Sequence, residues 1–293
     1  MLLLGLHLGG THSPWHSPTV VCLITFGLVA GGLFTLNEWK LATHPVIPLR
    51  LFATRSSTAA YTVCFFHAFA FLGVAYYLPL YFQAVLLASP LLSGVFLLPL
   101  IVSSSVSAAL TGWYIQWSGK YVPAMLAGAA ATTLGIGLLI DLEVDANWAK
   151  LASYQLIAGI GFGMNLEGPM LAVQAAVPGR DIGTATATMG FLRTMATAVS
   201  IVIGGVVFQN EMAAKKDWLE EMLGPDIARL LDGARATASV EVVKRLPSEA
   251  QRIARQAFYE STRSMWIMVR PLLPARQTNI NPLTLCSMWP SQP

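Results

Sequence analysis

Long apolar stretches alternate with short polar segments along the first 208 residues. Lys, Arg, Asp and Glu are all absent from Ser56 to Gly119, a run too long for one membrane span but suited to two. A helix needs about 20 mainly apolar residues to cross the hydrocarbon core of a bilayer. Backbone in lipid must satisfy its own hydrogen bonds, and the alternation typical of barrel strands is missing. The pattern predicts an all-α polytopic transmembrane helix bundle over residues 1–208, with six complete spans near residues 18–36, 59–82, 90–111, 122–140, 151–173 and 183–208.

Partial helices are expected at both ends of the chain. Leu2–Leu8 resembles the end of a helix whose earlier residues are missing. Residues 209–260 are rich in both signs of charge, which predicts a polar extracytoplasmic loop with short helices. Residues 261–293 predict an interrupted span and an irregular tail, because five prolines follow Val269. We expect the C-terminal half of a longer protein, shortened naturally or by an error in the gene model.

Charge in the short loops predicts the orientation. Basic residues gather in every second loop, whereas the opposite loops are uncharged or mainly acidic, as at Asp141, Glu143 and Asp145. Cytoplasmic loops of membrane proteins carry an excess of Lys and Arg. The loops predicted to be cytoplasmic contain Lys40, Arg50, Arg55, Lys120 and Arg180.

Composition agrees with a lipid environment and excludes several functions. Hydrophobic residues make up 55% of the chain and charged residues 11%, whereas soluble domains carry about 25% charged residues. The net charge of +3, without a basic stripe between aromatic residues, argues against nucleic acid. The three cysteines show no metal-binding spacing. No P-loop, nucleophile elbow or HExxH motif occurs, so we expect a membrane protein that is not an enzyme and needs no metal or cofactor.

Ionisable and amide side chains within the fifth and sixth spans are the candidate transport residues. Glu167, near Asn165 and Gln174, is a candidate proton carrier or cation-site ligand that faces a cavity or a partner, or else a carboxylate that snorkels near the cytoplasmic end of the span. Arg193 in the sixth span needs a partner such as Glu167 or a water-filled path, or else is an interfacial structural arginine. His67 in the second span is a candidate proton relay, although most lone intramembrane histidines are structural.

Glycines and prolines mark the candidate conformational elements. Gly159, Gly161 and Gly163 make part of the fifth span almost free of side chains, which permits close helix packing. Pro99 and Pro169 can kink or break their helices. A further motif at the end of the third span comprises Gly112, Gly119 and Lys120. It predicts either a tight basic loop or a close approach of two helices.

Several segments together resemble the fungal fourteen-span drug:proton antiporters of the major facilitator superfamily. The resemblance covers about residues 2–269, in matching order and spacing. In this interpretation the six complete spans correspond to spans eight to thirteen, and Gly112–Lys120 is similar to the cytoplasmic loop motif of the family. The segments are HPVIPLRLF (44–52), YYLPLYFQA (76–84), SGVFLLPL (93–100), GWYIQWSGKY (112–121), GIGFGMNLEGPMLAVQAAV (159–177) and GFLRTMATAVSIVIGG (190–205).

The resemblance implies efflux of a small amphipathic organic molecule, such as a drug or secondary metabolite, driven by a proton gradient. Such antiporters confer multidrug resistance. The plasma membrane is the expected location and the vacuolar membrane the alternative. Transporters of this kind bind substrate between two halves, so we expect a missing N-terminal half or another chain as partner. Two alternatives stay open: a siderophore or other solute transporter of the same superfamily, and a non-transporting form that pairs with a partner.

Overall fold

The computed structural model describes residues 1–9, 15–41, 47–52, 54–145, 147–233, 236 and 240–269. The long regular elements in this part of the chain are all α-helices, which confirms the predicted all-α bundle. Three single turns of other helix types also occur, at 37–41, 49–52 and 179–181. The α-helices are α1 (Leu2–Leu8), α2 (Pro18–Leu36), α3 (Arg55–Ala84), α4 (Pro90–Ser118), α5 (Val122–Leu139), α6 (Trp148–Met164), α7 (Gly168–Ala176), α8 (Ile182–Ala214), α9 (Lys216–Leu223), α10 (Pro225–Leu230), α11 (Val240–Lys244) and α12 (Ser248–Val269).

Six helical segments in the described residues are long and apolar enough to cross a membrane. They match the six predicted spans, with α6 and α7 together forming the fifth. Several helices are longer than predicted, because polar caps lie outside the apolar run. The Thr54 hydroxyl accepts a hydrogen bond from the Ser57 amide (3.2 Å), so α3 begins at Arg55 rather than Ala59. A side-chain oxygen at this position satisfies an amide that the helix leaves free.

Helix α6 lies at the centre of one half of the bundle, packed between α4 and α5. Helix α3 packs mainly along α8 and supplies much of the buried apolar core, including Val74, Leu78 and Phe82. Helix α2 is almost entirely exposed and contacts chiefly the short α1, which also touches α8. The six spans are therefore not equivalent: α3 and α6 are central and α2 is peripheral.

Three hydroxyl groups connect α3 to α8 by donating to backbone carbonyls of the opposite helix. Such bonds satisfy polar side chains in a segment where lipid offers no alternative partner. They also fix the register of the two helices over much of their length. The hydrogen bonds run from Tyr77 to Ile201 (2.5 Å), from Ser200 to Phe69 (2.6 Å) and from Tyr61 to Ala185 (3.3 Å).

We expect Tyr77→Phe to lower the free energy of unfolding by about 1 kcal/mol, because it removes one intramolecular hydrogen bond but keeps the ring. The ring also packs on Gly204, which this change leaves intact. The neighbouring Tyr76 is 53% exposed, so Tyr76→Phe is the matched control and should have little effect. Thermal unfolding of the purified variants in detergent measures both. Equal midpoints for the two variants would contradict a stabilising role for the Tyr77 hydroxyl.

The charged segment after α8 folds against the bundle rather than extending away from it. Helices α9 to α12 bury apolar side chains that join the core of α3 and α8, such as Leu219, Ala228 and Phe258. Arg255 of α12 donates to the Val85 and Val144 carbonyls, at 2.5 Å each. These bonds tie α12 to the end of α3 and to the α5–α6 loop. The extracytoplasmic location of the segment stays a prediction, and the predicted tail at 270–293 lies outside the described residues.

Candidate functional site at the break between two helices

The fifth span is interrupted between α6 and α7. Helix α6 ends at Met164, and α7 begins at Gly168 with Pro169 in its first turn. Proline has no amide hydrogen and clashes with the preceding helical turn, so it is tolerated at a helix start but not in the interior. At residues 165–167 the helix is interrupted, so backbone groups that a continuous helix would pair lose their helical partners. Discontinuous spans of this type form substrate and ion sites in many transporters.

Arg193 of α8 occupies this break. Its guanidinium donates to the Leu166 carbonyl oxygen at 3.3 Å. The side chain is half-buried. A carbonyl freed by the helix break thus provides the polar partner that a guanidinium needs at membrane depth.

Glu167 does not pair with Arg193, although the sequence suggested this partnership. The carboxylate side chain is exposed, and the ion pairs among the described residues do not join it to Arg193. Glu167 is the residue before α7 and makes no capping hydrogen bond through its side chain. The broken backbone explains the difference, because it presents the Leu166 carbonyl to Arg193 and turns residue 167 towards the surface.

His67 of α3 lies on the other side of the break, buried at 5% exposure. Its Nε2 is 2.8 Å from the Phe162 carbonyl oxygen near the end of α6, so we assign the ring hydrogen to Nε2, because a carbonyl only accepts. The rings of Phe71 and Phe162 flank the imidazole. The carbonyls that His67 and Arg193 contact, those of Phe162 and Leu166, are four residues apart at the end of α6. The structure therefore brings His67 and Arg193 to the same meeting point of α3, α6 and α8.

The two candidate amides point to other helices. Asn165, oriented to satisfy both ends of its amide, donates to the Met125 carbonyl (3.0 Å) and accepts from the Ala129 amide (2.9 Å) of α5. Gln174 of α7 donates to the Thr186 hydroxyl of α8 at 3.3 Å. Asn165 therefore anchors the break to α5, and Gln174 links α7 to α8.

Cys64 lies on the same face of α3 as His67, because residues three apart share one face of a helix. It is buried at 2% exposure, in a cluster that includes Ala172 of α7 and Met189 of α8. An isolated cysteine in an apolar run carries no signal of its own, so the sequence does not predict this position.

The three glycines of α6 permit its close packing with both neighbours. A Cβ at Gly159 would overlap the Ser103 hydroxyl of α4, and one at Gly163 would overlap the Ser107 hydroxyl. A Cβ at Gly161 would overlap the Thr132 backbone on the opposite side, in α5. The alternation explains why α6 can lie between two helices: successive glycines face opposite neighbours. Their role in conformational change stays a prediction.

The expected close approach of helices at the loop after α4 is not found in the described residues. A Cβ at Gly112 or Gly119 would meet no atom within 4 Å. Gly119 is required instead for backbone geometry, because it ends α4 with φ +68°, a conformation that side chains with a Cβ rarely adopt. Lys120 is exposed in the short connection that follows. Pro99 lies inside α4, which continues to Ser118 without a break.

The arrangement gathers three ionisable side chains, those of Arg193, His67 and Glu167, at the discontinuous span. It contains a half-buried cation, a buried imidazole and an exposed carboxylate around a discontinuous span. Ionisable groups at membrane depth are costly and are typical of substrate or proton routes. Within the described residues, no group of three His, Cys, Asp or Glu side chains is placed to hold a metal ion.

The chain is similar to fungal transporters over nearly its whole length. It is 46% identical over 268 residues to the efflux pump dotC of Dothistroma septosporum, and 44% identical over 268 residues to the MFS-type transporter ppz2 of Metarhizium majus. Each match covers 92% of this chain and 46% of the relative. An MFS-type transporter of Aspergillus terreus is 35% identical over 277 residues, with 93% and 50% coverage. No family model matches the chain.

These relatives are named as transporters and efflux pumps, which confirms the prediction that the chain is not an enzyme. Together with the six apolar helices, they identify a multi-pass membrane protein. The chain spans about half the length of the curated relatives it matches.

Proposed function

Because the chain belongs to the major facilitator superfamily, we propose that it supplies one half of a secondary transporter that exports small amphipathic organic molecules in exchange for protons. The observation that carries the proposal is the broken fifth span, with Arg193 bound to its freed carbonyl and Glu167 exposed beside it. The Dothistroma relative is named an efflux pump, which supports the proposed direction of transport.

Glu167 is the proposed proton carrier. It is a carboxylate at the start of a half-helix within a span, and its exposure gives it access to water or to a cavity. Arg193 holds the break in place and provides a fixed positive charge at the Leu166 carbonyl, one residue before Glu167. His67 is the proposed second proton-transfer group, since it contacts the Phe162 carbonyl near the same break. Gln174 and Asn165 position α7 through their contacts with α8 and α5.

A second half is the proposed partner in transport. Helix α4 carries an exposed apolar stripe along its whole length, with members three or four residues apart. Large exposed apolar patches in water mark an interface, and here lipid or another helix layer must cover the stripe. Transporters of this type alternate access by movement of one half against the other. The stripe consists of Leu91, Val95, Leu98, Val102, Val106, Leu110, Trp113 and Trp117.

The experiment that tests the proposal compares two proteins that are expressed at the same level in yeast cells. The first is this chain alone, and the second is a chimera in which this chain replaces the matching 268-residue segment of the Dothistroma efflux pump. We expect the chimera to lower the accumulation of rhodamine 6G by several-fold, with loss of the effect when an uncoupler collapses the proton gradient. The chain alone should behave as the empty vector.

Three outcomes would contradict the proposal. A chimera that is correctly located but exports neither rhodamine 6G nor a panel of amphipathic dyes would remove efflux as the function of this half. Accumulation above the vector level would favour the uptake alternative. The third outcome combines an inactive chimera with a full-length relative that exports less when this chain is co-expressed. It would favour a non-transporting partner protein.

The plasma membrane is the proposed location, and fluorescence microscopy of the tagged chimera tests it against the vacuolar membrane.

A further inference from the structure

A groove separate from the helix break lies between α4 and α5, with α6 as its floor. Its volume is about 440 Å³, within the range of about 300–1,000 Å³ found for small-molecule sites. It exists because α4 and α5 each pack extensively on α6 and far less on each other. The residues that line it are mainly apolar: Ser107, Leu110, Thr111, Tyr114, Pro123, Ala124, Ala127, Ile160 and Met164.

The groove offers hydrocarbon contacts more than hydrogen bonds. The Ser107 hydroxyl on its wall already donates within the protein, to the Ser104 and Gly159 carbonyls. Leu110 and Ile160 present exposed apolar surface, and Ala127 is exposed on the α5 side. The three helices are membrane spans, so the groove is open at a depth where acyl chains are the surrounding medium.

One end of the groove lies at a positively charged loop. The last residues of α4 and the first of α5 line it, from Tyr114 to Pro123, and only Gly119–Tyr121 connect the two helices. Lys120 in this connection is exposed, and the ion pairs among the described residues do not include it. Trp113 and Trp117 stack at the same end with ring centroids 6.4 Å apart and are exposed, as is typical of the membrane–water interface.

We propose that this groove binds one anionic phospholipid, with an acyl chain between α4 and α5 and the headgroup at Lys120. The apolar lining fits the chain, and the lysine at the interface complements the charge of the headgroup. A basic side chain at a membrane surface attracts anionic lipid by about 1 kcal/mol, which corresponds to about fivefold in affinity. The inference depends on the groove and its loop, and not on the transport cycle proposed above.

Native mass spectrometry of the purified chain tests the proposal, with dioleoylphosphatidylserine and dioleoylphosphatidylcholine titrated separately. We expect a first phosphatidylserine to bind about fivefold more tightly than phosphatidylcholine. Lys120→Gln should remove this preference without weakening phosphatidylcholine binding. Ala127→Phe should weaken both lipids at least about fivefold, because it fills the groove.

Two matched controls separate the site from the general surface. Arg55→Gln removes another exposed basic residue, and Ala130→Phe enlarges an exposed alanine of α5 that does not line the groove. Both should bind the two lipids as the unchanged chain does. Far-ultraviolet circular dichroism and gel filtration establish that each variant is folded.

Three results would overturn the proposal. The first is equal phosphatidylserine binding by Lys120→Gln and the unchanged chain. The second is equal binding of either lipid by Ala127→Phe and Ala130→Phe. The third is a dimer of the chain that Ala127→Phe alone dissociates, which would assign the groove to a protein occupant. Lys120→Gln alters only an exposed loop. The preference for phosphatidylserine over phosphatidylcholine can therefore be measured even if Ala127→Phe does not fold.

Discussion

Replacement of Glu167 by Gln is expected to reduce proton-driven export by the chimera to the level of the empty vector. Glutamine has nearly the same shape as glutamate but cannot release and rebind a proton at physiological pH. Since Glu167 is exposed and makes no ion pair with Arg193, its replacement should change the free energy of unfolding by no more than about 0.5 kcal/mol. The expected loss is therefore a loss of coupling rather than of folding.

The readout that identifies a proton carrier is exchange in reconstituted vesicles. With the dye on both sides and no pH gradient, Glu167→Gln should still exchange labelled for unlabelled rhodamine 6G. With an imposed pH gradient, it should not accumulate the dye. Glu249→Gln removes a carboxylate from the first turn of α12, distant from the break in sequence, and is the matched control. Gradient-driven accumulation by Glu167→Gln at the level of this control would remove Glu167 from the coupling mechanism.

The sequence predicted the spans well because a single physical requirement dominates them. Residues in lipid must be apolar and helical, so charge-free runs locate α2 to α8 with errors of up to seven residues, the largest at the end of α4. The errors occur where polar residues extend the helices, as Thr54 does at the start of α3. The same principle does not apply to α9–α12, because their mixed composition permits either a solvated loop or helices packed on the bundle. The structure shows the packed helices, because Phe258 is buried and Arg255 bonds to the carbonyl of Val85. Neither contact can be read from the sequence.

The sequence identifies candidate site residues by their type but does not identify their partners. Glu167, Arg193 and His67 are candidates because ionisable side chains are rare in membrane spans. Their pairing depends on backbone carbonyls, which every residue has and no sequence pattern distinguishes. Arg193 thus bonds to the Leu166 carbonyl and His67 to the Phe162 carbonyl. The ion pairs among the described residues do not join Arg193 to Glu167, which was one of the possibilities that the sequence left open. Asp181, buried and bonded to Arg50 at 2.8 Å, was overlooked because it lies in a loop that the apolar pattern defines only as a gap.

The packing of α6 provides the second large expected effect. We expect Gly163→Leu to lower the free energy of unfolding by about 3 kcal/mol, at the upper end of the usual cost of overpacking, and the unfolding midpoint by about 5–10 °C. The first added carbon already overlaps the Ser107 hydroxyl and the Ser104 carbonyl of α4, and backbone atoms cannot move as a flexible side chain can. Circular dichroism during heating in detergent measures the midpoint.

Gly112→Leu is the matched control, because it adds the same side chain to α4 where a Cβ meets nothing within 4 Å. Replacement of a glycine in a helix interior by a residue with a Cβ usually stabilises the helix by about 0.5–1 kcal/mol. The unfolding midpoint of Gly163→Leu should therefore lie at least about 5 °C below that of Gly112→Leu, which is the lower limit expected for the overpacking. Equal midpoints would mean that α4 and α6 do not pack as closely as the glycines allow. Because Gly163 precedes the break by only two residues, such a result would also remove the support for the position of Asn165 and Arg193 around it.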